Sequence, residues 1–415
     1  MSYFIGGAIA VQNNWKECKL GDIAEIKGGK RLPKGELLVT EKTPHPYIRI
    51  TDFNGHKINL SAIQYVTEEV QKSISRYIVN KQDIIISNVG TIGLCAKIPD
   101  ELDNANLTEN CIKLVFDKNK IDTNFLYYHL ISPDTQDLIS GFDVGSTQPK
   151  LPIYNIEKID ISLPPLEEQK AIAEVLSSFD DKIDLLHRQN QTLESLAQTL
   201  FRQWFIEEAK EEWEEIKLGD FVDCITGYSY KSDHLNDSNN ALVTLKNFAR
   251  DGSFRLDGFK EFTGTKYKDS QIVKHGDLVV SHTDITQEAD IIGNPVLVVD
   301  MGRYDNLIIT MDLMKVESKV DWLSKEFLYY LFRTEDFKFH CLGNSNGTTV
   351  LHMSRKTIPE YKIKIPNIKR IEDFTNDVKE ILQKQYVNIL QIQTLENLRD
   401  TLLPKLLSGE VRVEI

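Results

Sequence analysis

Two pairs of loops carry the side chains in this sequence that are best suited to contact another polar molecule. Ser87-Asn-Val-Gly-Thr91 corresponds to Ser281-His-Thr-Asp-Ile285, and Gly145-Ser-Thr-Gln-Pro-Lys150 corresponds to Gly347-Thr-Thr-Val-Leu-His352. Their hydroxyl, amide and glycine residues let the main chain approach closely and offer both hydrogen-bond donors and acceptors, which suits contacts with base edges or phosphates. The same residue types also form ordinary turns, and both interpretations stay open at this point.

Basic residues form two further clusters. They are Lys27, Lys30, Arg31 and Lys34 in a glycine-rich loop, and Lys246, Arg250 and Arg255 in the second half. Each cluster is either a phosphate-binding face or a solvated run of charge.

Motifs of the common enzyme classes are missing from the sequence. It contains no GxxxxGK[ST] phosphate loop, no GxGxxG opening a βαβ unit, no HExxH and no GxSxG. The nine histidines have no metal-ligand spacing, and the five cysteines are far apart with no CxxC pair. We therefore expect no catalytic residues, no metal site and no cofactor in this chain.

Length and composition indicate an ordinary globular protein. The chain has 415 residues, which predicts two or three domains, and its 49 Lys+Arg against 62 Asp+Glu give a net charge of −13. That acidic balance argues against a histone-like DNA coat. No apolar run approaches the roughly 18 residues that span a bilayer, Met1 to Val11 lacks the basic start of a signal peptide, and the cysteine usage suits a reducing compartment. We expect a cytoplasmic protein without a membrane partner.

An internal repeat organises the chain. Trp15-Lys-Glu-Cys-Lys-Leu-Gly-Asp22 returns as Trp213-Glu-Glu-Ile-Lys-Leu-Gly-Asp220 at an offset of 198, and Phe125-Leu-Tyr-Tyr128 returns at an offset of 202. Asp83-Ile-Ile-Ile-Ser87 returns at an offset of 194. Collinear matches with slightly drifting offsets indicate one unit of about 200 residues, present twice, with loops of different length.

Each repeat has a globular part followed by a helical part. The globular part contains short β-rich runs such as Tyr47–Thr51 and Pro295–Val299, and short helical stretches at 123–131 and 324–332. This pattern predicts an α+β fold with a mixed or antiparallel sheet. The predicted domains are 1–163 (with 1–14 as an N-terminal extension), 164–212 (a helical spacer), 213–365 (the second globular domain) and 366–415 (a second helical spacer).

Apolar residues in the first helical segment follow a 4-3-4-3 spacing that is typical of a coiled-coil seam, and the second segment carries matching residues. Gln385, Asn388 and Arg399 interrupt the second stripe. We predict two long antiparallel helices, about 50 Å each, that pair within the chain and give it pseudo-two-fold symmetry; the alternative is two unrelated amphipathic helices, each on its own domain. The seam residues are Ile172, Leu176, Phe179, Ile183, Leu186, Asn190, Leu193, Leu200, Phe374, Val378, Ile381, Ile392, Leu395 and Leu402.

Several stretches resemble the specificity subunit of type I restriction–modification systems over nearly the whole chain. They are Leu163-Pro-Pro-Leu-Glu-Glu-Gln-Lys-Ala-Ile-Ala173, Phe179-Asp-Asp-Lys-Ile-Asp184, Leu402-Leu-Pro-Lys-Leu-Leu-Ser-Gly-Glu410, the Trp-x-x-x-Lys-Leu-Gly-Asp openings and Asp83 to Gly93. The resemblance implies that the globular parts are target recognition domains, each reading one half of a split site in double-stranded DNA, while the helices set the distance between the halves.

The resemblance also implies partners. Two methyltransferase subunits, expected to use S-adenosylmethionine, and restriction translocase subunits would bind a specificity subunit that is itself not an enzyme. Residues 164–212 hold 5 basic against 11 acidic residues, and we take the acidic end at Glu207 to Glu212 as a candidate methyltransferase contact. We expect this chain alone to bind DNA weakly, with strong salt dependence.

From the loops, the basic clusters and the resemblance together we predict a set of DNA-facing side chains. In the first domain they are Lys30, Arg31, Arg49, Asn88, Thr147, Gln148 and Lys150, and in the second Lys246, Arg250, His282, Asn346, Thr348 and His352. Two other functions are kept as alternatives: a coiled-coil scaffold that binds protein, and a DNA-modifying enzyme of unrecognised type.

Overall fold

The computed structural model describes residues 15–144, 148–286, 288–347 and 350–414. Contacts divide this chain into two compact units. Unit 1 lies within Met1–Asp184 and Gln393–Ile415, and unit 2 within Leu185–Ile392. Each unit therefore contains one globular region and parts of both long helices.

The first globular region is built from short strands and helices. Its strands are β1 (Lys16–Lys19), β2 (Ala24–Gly28), β3 (Pro46–Ile48), β4 (Phe53–Asn54), β5 (Lys57–Ile58), β6 (Gln64–Tyr65), β7 (Ile78–Val79), β8 (Ile84–Ser87), β9 (Cys95–Lys97), β10 (Ala105–Leu107), β11 (Cys111–Phe116) and β12 (Asp160–Leu163). Its helices are α1 (Leu20–Ile23), α2 (Glu68–Ile74), α3 (Thr123–Ile131), α4 (Pro133–Gly141) and α5 (Ile153–Ile156), and the long helix α6 (Leu166–Arg202) follows.

The second globular region follows a π-helical turn at Gln203–Glu207. Its strands are β13 (Glu214–Lys217), β14 (Val222–Thr226), β15 (Asn240–Val243), β16 (Lys260–Glu261), β17 (Ile272–Val273), β18 (Leu278–Ser281), β19 (Thr283–Asp284), β20 (Pro295–Leu297), β21 (Asn306–Ile309), β22 (Leu313–Ser318), β23 (Ser345–Asn346), β24 (Leu351–Met353) and β25 (Lys362–Ile365). Its helices are α7 (Lys325–Phe332), α8 (Glu335–Gly343) and α9 (Thr357–Glu360), and the long helix α10 (Ile368–Ser408) follows.

The two regions share one sheet topology. The antiparallel order β2-β11-β8-β9 recurs as β14-β22-β18-β20, and the mixed order β6-β3-β10-β7 recurs as β16-β15-β21-β17. In both mixed sheets the central pair, β3 with β10 and β15 with β21, is parallel. The prediction of an α+β fold with mixed or antiparallel sheets, present twice, is confirmed.

Local boundaries follow capping chemistry. The predicted helix at 123–131 is observed as α3, capped by the Asp122 carboxylate, and α7 begins one residue late because Ser324 is its N-cap. The predicted strand Tyr47–Thr51 is wrong at its end. β3 stops at Ile48, because the Asp52 carboxylate accepts the Arg49 N–H at 2.7 Å and turns the chain into a 3₁₀ helix.

Both long helices bury their apolar side in the cores of the globular regions. In unit 1, Ile172 and Leu176 of α6 and Leu406 of α10 join one core. In unit 2, Phe201 of α6 and Phe374 of α10 join another, with ring centroids 5.5 Å apart. Every predicted seam residue is buried or half-buried, and none is exposed.

Candidate nucleic-acid interface

In unit 1 the structure joins the two polar loops that the sequence singled out. The Leu151 N–H donates to the Asn88 carbonyl at 2.8 Å, and the Gly90 N–H donates to the Pro149 carbonyl at 2.9 Å. Val89 and Lys150 form an isolated antiparallel bridge. The loop after β8 and the segment before α5 therefore form one continuous surface.

The glycine-rich basic loop lies beside the same surface. The turn at Thr108–Asn110 connects them, because the Asn110 carbonyl accepts the Asn88 N–H at 2.9 Å while Lys30 N–H donates to Leu107. A Cβ on Gly29 would lie 1.9 Å from the Thr108 carbonyl oxygen. Only glycine allows the loop to cross the turn this closely. Gly29 therefore determines the position of the next residue, Lys30, on this surface.

Most predicted side chains of unit 1 are accessible on this surface. Lys30, Arg31, Gln148 and Lys150 are exposed, whereas Asn88 is half-buried and its side-chain oxygen has no hydrogen-bond partner among the described residues. The Lys30 ammonium lies over the ring of Tyr77. Thr147 lies outside the described residues.

Arg49 has a different environment from the other predicted DNA contacts. Its guanidinium donates to both oxygens of Asp52, to the Gln64 side chain and to the Ala62 carbonyl. Asp52 is fully buried, so Arg49 neutralises an interior carboxylate. Its donors are engaged within the domain, which argues for a structural role.

In unit 2 the same main-chain hydrogen bonds form a matching surface. The His282 N–H donates to the Asp312 carbonyl at 2.7 Å, and the Met353 N–H donates to the His282 carbonyl at 2.9 Å. A Cβ on Gly227 would lie 2.1 Å from the Thr310 carbonyl oxygen, as at Gly29. These bonds match Asn88 with His282, Lys150 with His352, and Gly29 with Gly227.

The predicted residues His282, Asn346 and His352 come together on the small antiparallel sheet β19-β24-β23. Asn346 of β23 and Thr283 of β19 each pair with His352 of β24. The Thr283 hydroxyl is 3.3 Å from Nδ1 of His352. Burial lowers the pKa of His282, and the nearby charges of Arg355 and His352 lower it further. Thr348 lies outside the described residues.

Lys246 and Arg250 occupy the turn that follows β15. Lys246 is exposed on the 3₁₀ turn Leu245–Asn247, at the position that corresponds to Thr51 in unit 1. Arg250 is also exposed and lies 3.4 Å from the Asp290 carboxylate. The matching turns thus carry a cation in unit 2 and a hydroxyl in unit 1.

The surface of unit 2 includes a longer loop between β19 and β20. The buried Asp284 carboxylate accepts hydrogen bonds from the N–H groups of Ile291 and Ile292 at 2.6 and 2.7 Å. It also accepts hydrogen bonds from the main-chain N–H and the hydroxyl of Thr286. The Lys338 ammonium donates to the Ile292 carbonyl at 2.6 Å and the Asp290 carbonyl at 3.1 Å. The longer loop is therefore held by two charges of opposite sign, the buried Asp284 carboxylate and the half-buried Lys338 ammonium.

Sequence reasoning missed the turn after β10 and its equivalent after β21. Glu109 in unit 1 corresponds to Met311 in unit 2, and Met311 is exposed. The offset of 202 was the available signal, because it aligns Leu107-Thr108 with Ile309-Thr310. No chemical motif marks these turns, since their importance comes from the loop that crosses them.

The described part of the chain contains no cluster of three His, Cys, Asp or Glu side chains that could hold a metal ion. All five cysteines are free thiols, and burial raises the pKa of Cys95, Cys111, Cys224 and Cys341 to about 12.

Across residues 15–144, 148–286, 288–347 and 350–414, no helix combines the length and apolarity needed to cross a membrane.

Comparisons with known proteins agree with this geometry. A family model described as "Type I restriction modification DNA specificity domain" matches residues 12–195 and again 210–402. The type I restriction enzyme MjaIX specificity subunit of Methanocaldococcus jannaschii is 25% identical over 434 residues, covering 97% of this chain and 95% of its own. The HindI specificity subunit of Haemophilus influenzae is 23% identical, and the match covers 96% of this chain and 100% of that protein.

A solved structure shows the same fold. It is the crystal structure of a type I restriction–modification system S subunit from M. genitalium, with a TM-score of 0.59 and 18% sequence identity. The match covers 96% of this chain and 98% of that one.

Proposed function

Since this chain belongs to the family of type I restriction–modification specificity subunits, we propose that it reads a bipartite, gapped site in double-stranded DNA, one half with each globular region. The main-chain hydrogen bonds that recur in both units carry the proposal. Both units hold a loop, a turn and a returning segment by equivalent hydrogen bonds, yet they present different side chains at matched positions. Such a pair of surfaces suits two different half-sites.

The long helices are the second part of the proposal. We infer that α6 and α10 form an antiparallel coiled coil that spaces the two domains with approximate two-fold symmetry. At 1.5 Å per residue, their 37 and 41 residues give lengths of about 56 and 62 Å. Contacts within each unit support opposite directions: Asp180 binds Arg399 in unit 1, whereas Asn190 binds Asn388 in unit 2.

The third part concerns partners. We propose that this non-catalytic subunit recruits two methyltransferase subunits, which would supply the chemistry with S-adenosylmethionine, and restriction translocase subunits, in the cytoplasm. Glu211 and Glu212 are exposed at the end of the first helical segment, whereas Glu207 and Glu208 pair with Arg202 and Arg370. Of these two, only Glu212 contacts a cation in the described structure, the Lys210 ammonium at 4.0 Å. Glu211 and Glu212 are therefore better candidates for the methyltransferase contact than Glu207 and Glu208.

Genome-wide methylation mapping tests the function as a whole. Cells that carry the methyltransferase are compared with and without this chain. We expect methylation that depends on the chain, at a motif with two specified halves separated by a constant number of unspecified base pairs. A continuous motif would overturn the two-reader proposal, and methylation independent of the chain would favour the protein-scaffold alternative.

The partner contact is tested by pull-down with the methyltransferase. We expect the double reversal Glu211→Lys and Glu212→Lys to weaken assembly, because it replaces two negative charges of an exposed segment with two positive ones. The matched control reverses Asp377 and Glu380, which are exposed on α10. Equal assembly by both variants would exclude the acidic segment as a contact.

A further inference from the structure

Arg31 is anchored by one nitrogen only. Its Nε donates to Oε1 of Glu109 at 2.5 Å, and the side chain is 80% exposed. The terminal nitrogens Nη1 and Nη2 make no hydrogen bond to any described residue. Glu109 therefore orients the guanidinium plane, while the edge that carries Nη1 and Nη2 faces solvent.

Glu109 is itself held in place. Its second oxygen accepts a hydrogen bond from the Thr108 hydroxyl at 3.1 Å, and its side chain is mostly buried. Burial alone would raise the pKa of Glu109, but hydrogen bonds from Arg31, its own main chain and Thr108 hold it below the ordinary value. The carboxylate thus stays ionised and keeps the Arg31 side chain in one orientation.

Arg49 and Arg255 show the contrast. All three guanidinium nitrogens of Arg49 donate hydrogen bonds within the domain. In Arg255, Nε and one Nη donate to the two carboxylate oxygens of Asp257. An arginine reads guanine by placing two N–H groups on O6 and N7 in the major groove. Arg31 keeps that pair of donors open.

Unit 2 lacks this arrangement at the matched position. The residue two places after Gly227 is the exposed Ser229, and the turn position of Glu109 is taken by Met311, which is 49% exposed. A serine hydroxyl and a thioether cannot form a bidentate donor edge. Units 1 and 2 therefore differ in hydrogen-bonding chemistry at this matched position.

We propose that Arg31 reads a guanine in the half-site of unit 1 through Nη1 and Nη2, with Glu109 as the positioning residue, and that unit 2 makes no such contact at the matched position. The proposal rests on the proposed DNA-reading function and adds the base and the atoms to it.

The test uses the full chain assembled with its methyltransferase and synthetic duplexes that carry the mapped motif. Each guanine is replaced in turn by 7-deazaguanine, which lacks N7. We expect one position in one half-site to weaken wild-type binding by roughly 5- to 150-fold. The Arg31→Ala complex should become insensitive at that position, because alanine has no donor for N7, and should keep its sensitivity to any other guanine that responds. Arg31→Lys keeps one donor group and should lose less discrimination. Glu109→Gln should show a smaller loss of discrimination at the same position.

Lys34→Ala is the matched control, because Lys34 is an exposed cation in the same loop. It should weaken binding to all duplexes equally and leave base discrimination intact. Uniform weakening by the Arg31 variants, or a motif half without any guanine that responds to them, would overturn the proposal. Failure of the wild-type complex to bind any gapped motif would instead overturn the proposed function.

Discussion

Asn388 of α10 donates a hydrogen bond from Nδ2 to Oδ1 of Asn190 on α6, 2.8 Å away, and Asn388 is fully buried. The side-chain amide of Gln385 adds a hydrogen bond to the Asn190 carbonyl at 3.1 Å. A buried polar pair inside an apolar helix contact fixes the register of the two helices more than it stabilises them.

We expect Asn388→Ala to lower the free energy of unfolding by about 1–3 kcal/mol, because it leaves Oδ1 of the half-buried Asn190 without its donor. The double variant Asn190→Leu and Asn388→Leu should regain that stability, since both polar groups are then removed together. Urea denaturation followed by circular dichroism measures both. Asn397→Ala, an exposed change on the same helix, is the control; a single variant as stable as the control would contradict the assignment.

The second copy supplies a test of Arg49. Where unit 1 has Arg49 and Asp52, unit 2 has Thr244 and Asn247. In both, the main-chain N–H of the first residue donates to a side-chain oxygen of the fourth. Arg49→Thr should cost about 3 kcal/mol by leaving the Asp52 carboxylate buried without its counter-ion. Arg49→Thr with Asp52→Asn should recover most of the loss. If the single variant melts like the wild type but binds DNA poorly, Arg49 is a DNA contact after all.

Unit 1 should lose stability in mild acid because of His129. Burial lowers the pKa of His129 to about 4. The unfolded chain takes up a proton near pH 6.5 while the folded chain does not, so the free energy of unfolding falls as the pH drops from about 6.5 to 4. The residue at the matched position in unit 2 is Leu331. His129→Leu should therefore raise stability at pH 5 by about 2 kcal/mol relative to its effect at pH 7.5.

Thermal melts across this pH range measure the effect. His187 is exposed, so His187→Gln should keep the wild-type slope. An unchanged slope in His129→Leu would show that another group carries the acid sensitivity.

Lys338 should control the order of the loop between β19 and β20. Lys338→Met removes the ammonium that binds the carbonyls of Asp290 and Ile292. Amide hydrogen exchange should increase in residues 282–294, because the loop then loses its hydrogen bonds to α8. Peptides from unit 1 should exchange as before. Lys379→Met, an exposed change on α10, should leave the loop protected, and equal exchange in both variants would rule out the anchoring role.

Offsets between the repeats predicted which positions are structurally equivalent. The values 198, 194 and 202 align Gly29 with Gly227, Asn88 with His282, and Lys150 with His352, and the main-chain hydrogen bonds make the same pairs. Apolar periodicity likewise predicted residues of the long helices that are buried or half-buried. These features depend on local pattern, which a single sequence contains.

Features that depend on distant partners were not predictable in this way. Asn388 and Arg399 looked like interruptions of the apolar stripe, yet each binds a residue of α6 about 200 positions earlier: Asn190 at 2.8 Å and Asp180 at 2.7 Å. Arg49 was predicted as a DNA contact from its charge, and the buried Asp52 carboxylate that it binds could not be seen in the sequence. Glu109 was not predicted to belong to the DNA-facing surface, because an acidic residue is not expected beside DNA until the arginine that it binds is known.

The division of α10 has a consequence for synthesis on the ribosome. Unit 2 is one continuous stretch, Leu185–Ile392, whereas the core of unit 1 includes Leu403, Leu406 and Leu407. Domains generally fold as their residues emerge, the earliest first. Here the order is inverted, since the globular region that is translated first must wait for Leu403, Leu406 and Leu407 before its apolar core is closed. Until then that exposed surface is a natural target for chaperones.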